Sequence, residues 1–299
     1  MNSTIFAGAL LALALTTPSY SKSATFNVGA LQVEQQGTKG PAVILIPGLA
    51  GGAWVWTDTA QRLMKDHRVY LLTLPGFDGR KPASGATFDS LAGDLRKLIE
   101  KKHLEHPVLV GHSLGGTLSI KFATEHSNLI AGVIAVDGLP VFPGSEGITG
   151  DRSAVADNVR KQFSGQTREQ FVASQQGYMK QIGVIDPELA IRLAEHSSRS
   201  DIGATAEFAA QDFALDLRPH LADIKVPVVE ISPFNEADFA AIGVNEEAKT
   251  GYYRALLAGT NQLEVVSISP ARHFVMFDQP EKFAAALDSA LGKMVESAR

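Results

Sequence analysis

Short, continuous apolar runs alternate along this chain with stretches whose apolar residues recur every three or four positions. Residues 42–46 (AVILI) are apolar throughout and stop at Pro47-Gly48, the pattern of a strand covered on both faces. Residues 69–74 (VYLLTL) stop at Pro75-Gly76, 108–110 run into Gly111, and 130–136 (IAGVIAV) repeat the pattern. Helical spacing lies between these runs. Phe88, Leu91, Leu95, Leu98 and Ile99 fall on one face of 87–101, with Thr87 and Asp89 near the cap, and 114–125 reads as a second helix. Such alternation predicts βαβ units, hence an α/β fold with a mostly parallel central sheet flanked by helices.

The rhythm breaks after Leu139. Residues 139–220 contain no strand-like run but carry helical stretches such as 167–182 and 187–196. Strand patterns return at 226–231 (VPVVEI) and 263–268 (LEVVSI), and a periodic helix over 281–294 closes the chain. The expected organisation is one α/β core, 22–138 and 221–299, with a helical cap inserted at 139–220. Glycines make 144–150 and 243–248 candidate mobile loops.

Composition changes this picture at the N-terminus. An apolar run over 5–15, followed by Pro18 and small residues around Ser19, Ser21 and Ser23, has the form of a secretory signal peptide, although no Lys or Arg precedes the run. It is shorter than the roughly 18 to 20 apolar residues that a membrane span needs. Residues 1–21 are therefore set apart from the fold, and the protein is expected to be secreted or periplasmic. With no cysteine in 299 residues, disulfides and thiolate chemistry are excluded. The net charge of -5 comes from interspersed charges without a basic run, which argues against nucleic acid as partner and suits a small-molecule substrate.

The chemistry concentrates at Gly111-His112-Ser113-Leu114-Gly115, a G-x-S-x-G sequence between a short strand and a helix. In that context it reads as a nucleophile elbow with Ser113 as nucleophile. Glycines at 111 and 115 suit a crowded turn, and the helix N-terminus places N–H groups beside developing negative charge. The order of strand-PG, strand-LPG, GHSLGG, helical insertion, VPV strand and late His-Phe resembles the α/β-hydrolase superfamily over residues 40–290. The resemblance implies an oxyanion hole from the N–H groups of Leu49 and Leu114, with Pro47 standing where relatives more often carry histidine. It also implies a general base after the last strand, where Pro270-Ala271-Arg272-His273-Phe274 offers His273, and a supporting role beneath the nucleophile for His112.

Three carboxylates compete for the acid that holds the base. The loop after VPVVEI is the family's usual place and contains Glu236 and Asp238; Asp137, at the end of the strand after the nucleophile helix, matches the position used by pancreatic-type lipases and some dehalogenases. The implied activity is hydrolysis of a carboxylic ester with a small, medium or aromatic acyl part, requiring no metal or cofactor. Serine in the elbow disfavours dehalogenase and epoxide-hydrolase chemistry, whose relatives use aspartate there. C–C hydrolysis, acyl transfer, cofactor-free peroxidation and a non-catalytic binding role use the same fold. Phe142, Phe163, Phe171, Tyr178, Phe208 and Phe213 supply either an apolar lid or the cap's own core, and Trp54 and Trp56 either pocket walls or packing.

Overall fold

Strands β1 (Ala24–Val28) and β2 (Leu31–Gln36) open the described chain as an antiparallel hairpin, followed by β3 (Ala42–Ile46), β4 (Arg68–Thr73), β5 (Val108–His112), β6 (Gly132–Val136), β7 (Val228–Pro233) and β8 (Leu263–Ile268). These belong to a computed structural model that describes residues 24–297; the proposed signal sequence lies outside the described residues. One sheet contains all eight strands in the order β1-β2-β4-β3-β5-β6-β7-β8. β2 pairs antiparallel with β4, and every pairing from β4 through β8 is parallel.

The helices are α1 (Thr57–Leu63), α2 (Phe88–Lys101), α3 (Leu114–His126), α4 (Ser153–Ser164), α5 (Arg168–Tyr178), α6 (Pro187–Ser197), α7 (Ile202–Ala214), α8 (Glu236–Phe239), α9 (Glu246–Leu256), α10 (Val275–Asp278) and α11 (Pro280–Ser297). β3, β5 and β6 are buried at every position because helices cover both faces of the sheet. Phe88 and Leu91 of α2, Leu118 of α3 and Leu256 of α9 pack on one face. Leu63 of α1 and Phe283, Leu287 and Leu291 of α11 pack on the other. At the start of α2, the Thr87 hydroxyl accepts from the Ser90 N–H while Ser90 Oγ accepts from the Thr87 N–H, a reciprocal cap that satisfies two otherwise orphaned donors.

Four helices, α4 to α7, fill the chain between β6 and β7. Phe208 of α7 packs on the core rings Phe77 and Phe88, with centroids 5.5 and 6.5 Å away, so this segment is fastened to the sheet domain through apolar contact. Phe171 and Phe208 are fully buried and Phe142 stacks on Phe213 at 3.6 Å, which makes these rings packing elements. The helical stretch beginning at 167 divides into α5 and a π-helical turn, Met179–Gly183. The carbonyls of that turn leave the helix and reach the loop after β8. The expected loop over 243–248 ends early: Asn245 caps α9 by accepting from the Ala248 N–H, and Glu246 onward is helical.

Candidate active site

Three strand ends meet at one edge of the sheet. β5 delivers Ser113, β6 delivers Asp137, and the loop after β8 delivers His273. The first two are neighbours by register, since His112 pairs with Val136 and the Ser113 N–H donates to the Val136 carbonyl at 2.8 Å. Ser113 stands at the N-cap of α3 with φ 52° and ψ -124°, a left-handed conformation that costs a non-glycine residue free energy and marks a turn held by its surroundings. Gly111 and Gly115 are what allow it. A Cβ on Gly111 would lie 2.1 Å from the Gly115 carbonyl oxygen, and one on Gly115 would lie 2.4 Å from that of Ile46.

Asp137 also has positive φ, 52°, and its N–H donates to the Ile231 carbonyl of β7 at 3.0 Å. Its carboxylate takes two short hydrogen bonds: Nδ1 of His273 at 2.5 Å on Oδ2, and the phenol of Tyr253 at 2.5 Å on Oδ1. Burial works against the charge on Asp137. The Lys249 cation, His273 and the two hydrogen bonds outweigh it and hold the carboxyl well below the usual range, so Asp137 is an anion. With Nδ1 donating to the carboxylate, Nε2 of His273 is left as the proton acceptor.

The loop after β7 does something else. Asp238 forms a bidentate pair with Arg272, Nε to Oδ2 at 2.8 Å and Nη2 to Oδ1 at 2.6 Å, and also accepts from Asn235. These bonds, led by those from Arg272, keep it ionised below the usual carboxylate range. Glu236 is exposed at the first position of α8. Of the three carboxylates that position in the chain left open, the structure brings only Asp137 onto His273. Asp238 is instead the ion-pair partner of Arg272 and Glu236 is exposed, and neither forms a hydrogen bond to His273 among the described residues.

Arg272 is also a clamp. Its Nη1 donates to the Lys180 and Val184 carbonyls at 2.9 and 3.1 Å, while the His273 and Phe274 N–H groups donate to Ile182 and Gly183 at 3.1 and 2.9 Å. The turn after α5 is thus bonded to the histidine loop, and Tyr178 sits edge-on to the His273 ring at 6.0 Å. Below, His112 is buried against His273 at 4.5 Å and Phe274 at 4.4 Å, and its Nε2 is paired with the His273 carbonyl at 3.1 Å. Burial, reinforced by neighbouring His273, pushes the His112 pKa well below its ordinary value, so this ring is a neutral packing piece.

The loop after β3 crosses the elbow closely enough that a Cβ on Gly48 would lie 3.0 Å from Ser113 Cβ. Among the described residues, neither the Leu49 nor the Leu114 N–H has a backbone or side-chain acceptor. Two free donors beside Ser113 are the arrangement that an oxyanion developing there would need. The next residue, Ala50, has φ 57°, and its carbonyl accepts from Ser200 Oγ at 3.1 Å, which ties this loop to the segment between α6 and α7. Trp56 is fully buried, whereas Trp54 stacks on His196 of α6 at 5.1 Å and on Phe274 at 6.1 Å, bridging cap and core. Among the described residues, no group of three or more His, Asp or Glu side chains is arranged to hold a metal ion.

Sequence reasoning passed over Tyr253, Lys249 and Glu230. The first two share a face of α9, four residues apart, but nothing in the pattern of residues 246–256 says which strand end that face meets. Glu230 carried a clearer sign: a carboxylate inside an otherwise apolar strand, here fully buried.

Residues 43–286 match the model of the alpha/beta hydrolase family. The chain is 26% identical over 266 residues to a pimeloyl-[acyl-carrier protein] methyl ester esterase of Nitrosospira multiformis, covering 86% of this chain and 96% of that protein. Among solved structures it resembles the esterase EaEST of Exiguobacterium antarcticum (TM-score 0.73, 18% identity, 91% of this chain and 100% of that one). It also resembles the enol-lactonase of Burkholderia xenovorans LB400 (TM-score 0.71, 18% identity, 90% and 100%). The matched span takes in the strand ends that carry Ser113, Asp137 and His273, and the chain is a hydrolase belonging to the α/β-hydrolase family.

Proposed function

We propose that the protein hydrolyses carboxylic esters through an acyl-enzyme on Ser113. The observation that carries this reading is the 2.5 Å bond from His273 Nδ1 to Asp137, made at the same sheet edge as a serine in a strained elbow. Ser113 Oγ adds to the ester carbonyl carbon as its proton passes to His273 Nε2, and Asp137 stabilises the imidazolium. The carbonyl oxygen becomes an oxyanion that accepts from the Leu49 and Leu114 N–H groups, each such donor being worth about 2.7 to 4 kcal/mol to the transition state. Collapse expels the alcohol, which takes the proton from His273. Water then adds to the acyl-enzyme with His273 again as base, releasing the acid and restoring Ser113.

A small, medium or aromatic acyl ester is the proposed substrate class. Support comes from the similar proteins, named as a methyl ester esterase, an esterase and an enol-lactonase, and from the Tyr178 ring standing beside His273. Fluorophosphonate labelling with peptide mass spectrometry tests the mechanism. The reading requires one adduct, on Ser113, lost in Ser113→Ala together with p-nitrophenyl ester hydrolysis; a folded protein that neither labels at Ser113 nor turns over any ester contradicts it. Export is proposed on the apolar run over 5–15, and N-terminal sequencing of the extracytoplasmic protein checks it: a start near Lys22 supports export with cleavage, and an intact Met1 opposes it.

A further inference from the structure

Asp137 is held from two sides. Its Oδ2 belongs to His273 and its Oδ1 accepts from the Tyr253 phenol. Tyr253 lies on α9 one turn after Lys249, so both side chains point the same way. Lys249 Nζ donates to the Pro233 carbonyl at the end of β7 and stands 4.8 Å from the centre of the Tyr253 ring. On the same strand Glu230 is fully buried, close enough to Asp137 for the two charges to act on each other.

A carboxylate with one anchored oxygen still turns about its last bond and can draw away from the imidazole; a second donor on the other oxygen removes that freedom. We infer that Tyr253, backed by Lys249, is a positioning residue for Asp137, its phenol fixing Oδ1 so that Oδ2 stays on Nδ1 of His273. The surrounding electrostatics agree. Burial and then the Asp137 charge push the Tyr253 phenol well above its ordinary pKa, so it remains a donor. Burial and Asp137 likewise raise Glu230 well above the carboxylate range, so this neighbour is neutral and does not repel Asp137. The simpler role for Tyr253 is packing, since it is buried among Leu256, Leu257 and the sheet; Tyr253→Phe preserves that packing and removes only the hydroxyl.

This inference rests on the serine-hydrolase reading, and its test separates the two. In the full chain, kcat and KM for a p-nitrophenyl ester and the fluorophosphonate labelling rate of Ser113 are measured for the parent, Tyr253→Phe, Asp137→Ala and the double variant. Circular dichroism and thermal melting show that each is folded. Tyr253→Phe is expected to lower kcat and the labelling rate about 10- to 100-fold, the range a hydrogen bond to a charged group commands, with KM within about twofold. In the Asp137→Ala background the same change is expected to do nothing further, because the group it positions is gone. Equal loss in both backgrounds, a loss confined to KM, or a kcat within twofold of the parent overturns the inference. If Asp137→Ala fails to fold, the single variant still decides through its kcat against KM. If the parent itself shows no labelling at Ser113, the hydrolase reading fails and not only the part assigned to Tyr253.

Discussion

Replacing Arg272 with methionine keeps an unbranched side chain of similar reach while deleting the guanidinium, and the structure says what that deletes. Two hydrogen bonds to the Lys180 and Val184 carbonyls disappear, along with the bidentate pair to Asp238. The Arg272 and Asp238 side chains are 19% and 28% exposed, so solvent screens the ion pair and it contributes at most about 1 kcal/mol. Of the two carbonyl bonds, that to Val184 is partly buried and that to Lys180 is exposed, and both involve a charged donor; at roughly 1 kcal/mol each, the total loss is about 2 to 3 kcal/mol. For a chain of this size that lowers Tm by about 4 to 12 °C if unfolding is cooperative. The damage should also be local. The His273 and Phe274 N–H groups donate to the same cap turn, so their hydrogen exchange is expected to quicken more than that of β5 or β6 amides. Catalysis suffers as well, with kcat falling and KM rising, because the turn carries Tyr178 onto His273. Unchanged melting together with unchanged exchange at His273 and Phe274 would refute the claim that Arg272 clasps cap to histidine loop.

Other consequences can be checked with equally simple assays. Gly115→Ala puts a methyl group 2.4 and 2.6 Å from the Ile46 and Pro47 carbonyl oxygens, which are backbone and cannot swing aside; ester hydrolysis should drop at least about 100-fold as the elbow shifts, and parent-like kcat would show the turn to be looser than drawn. Burial raises Asp212 to about 7 against the opposing effect of a hydrogen bond with Thr117, so the folded protein holds a proton that the unfolded chain releases near pH 4. That contribution is present below pH 4 and is lost as pH rises to 7. Asp212→Asn should therefore gain stability relative to the parent between pH 4 and pH 8 in urea titrations, and a constant difference across that range would exclude a buried protonated acid.

Which parts of this molecule were legible depended on whether the signal was local. β3 coincides with its apolar run, and α3 begins where the elbow demands, because a strand buried on both faces and a glycine-bounded turn write themselves into adjacent residues. The β1–β2 hairpin was overlooked. β2 buries only Leu31 and Val33 while its polar residues face outward, a short alternation easily lost beside the continuous runs of β3 and β5. The first residues of α9 follow Gly243 and carry little periodicity, so its start has the signature of a loop, and its buried face is set by the sheet it packs on. Ser113 and His273 stood out by motif and order. The acid did not, because Asp137 and Asp238 both lie a few residues beyond strand ends, and only the paths of the chain after β6 and β7 decide which one faces the imidazole.

The most direct measurement of the proposed mechanism compares Asp137→Asn with Asp238→Asn in p-nitrophenyl ester hydrolysis, both confirmed folded. With Asp137 orienting His273, its amide presents a donor or a neutral acceptor to Nδ1 and spoils the tautomer. The expected loss in kcat is on the order of 10⁴-fold, while Asp238→Asn, which only weakens a partly exposed ion pair, stays within about tenfold of the parent. Near-parent activity in Asp137→Asn, or a collapse of activity in Asp238→Asn alone, would contradict the central claim.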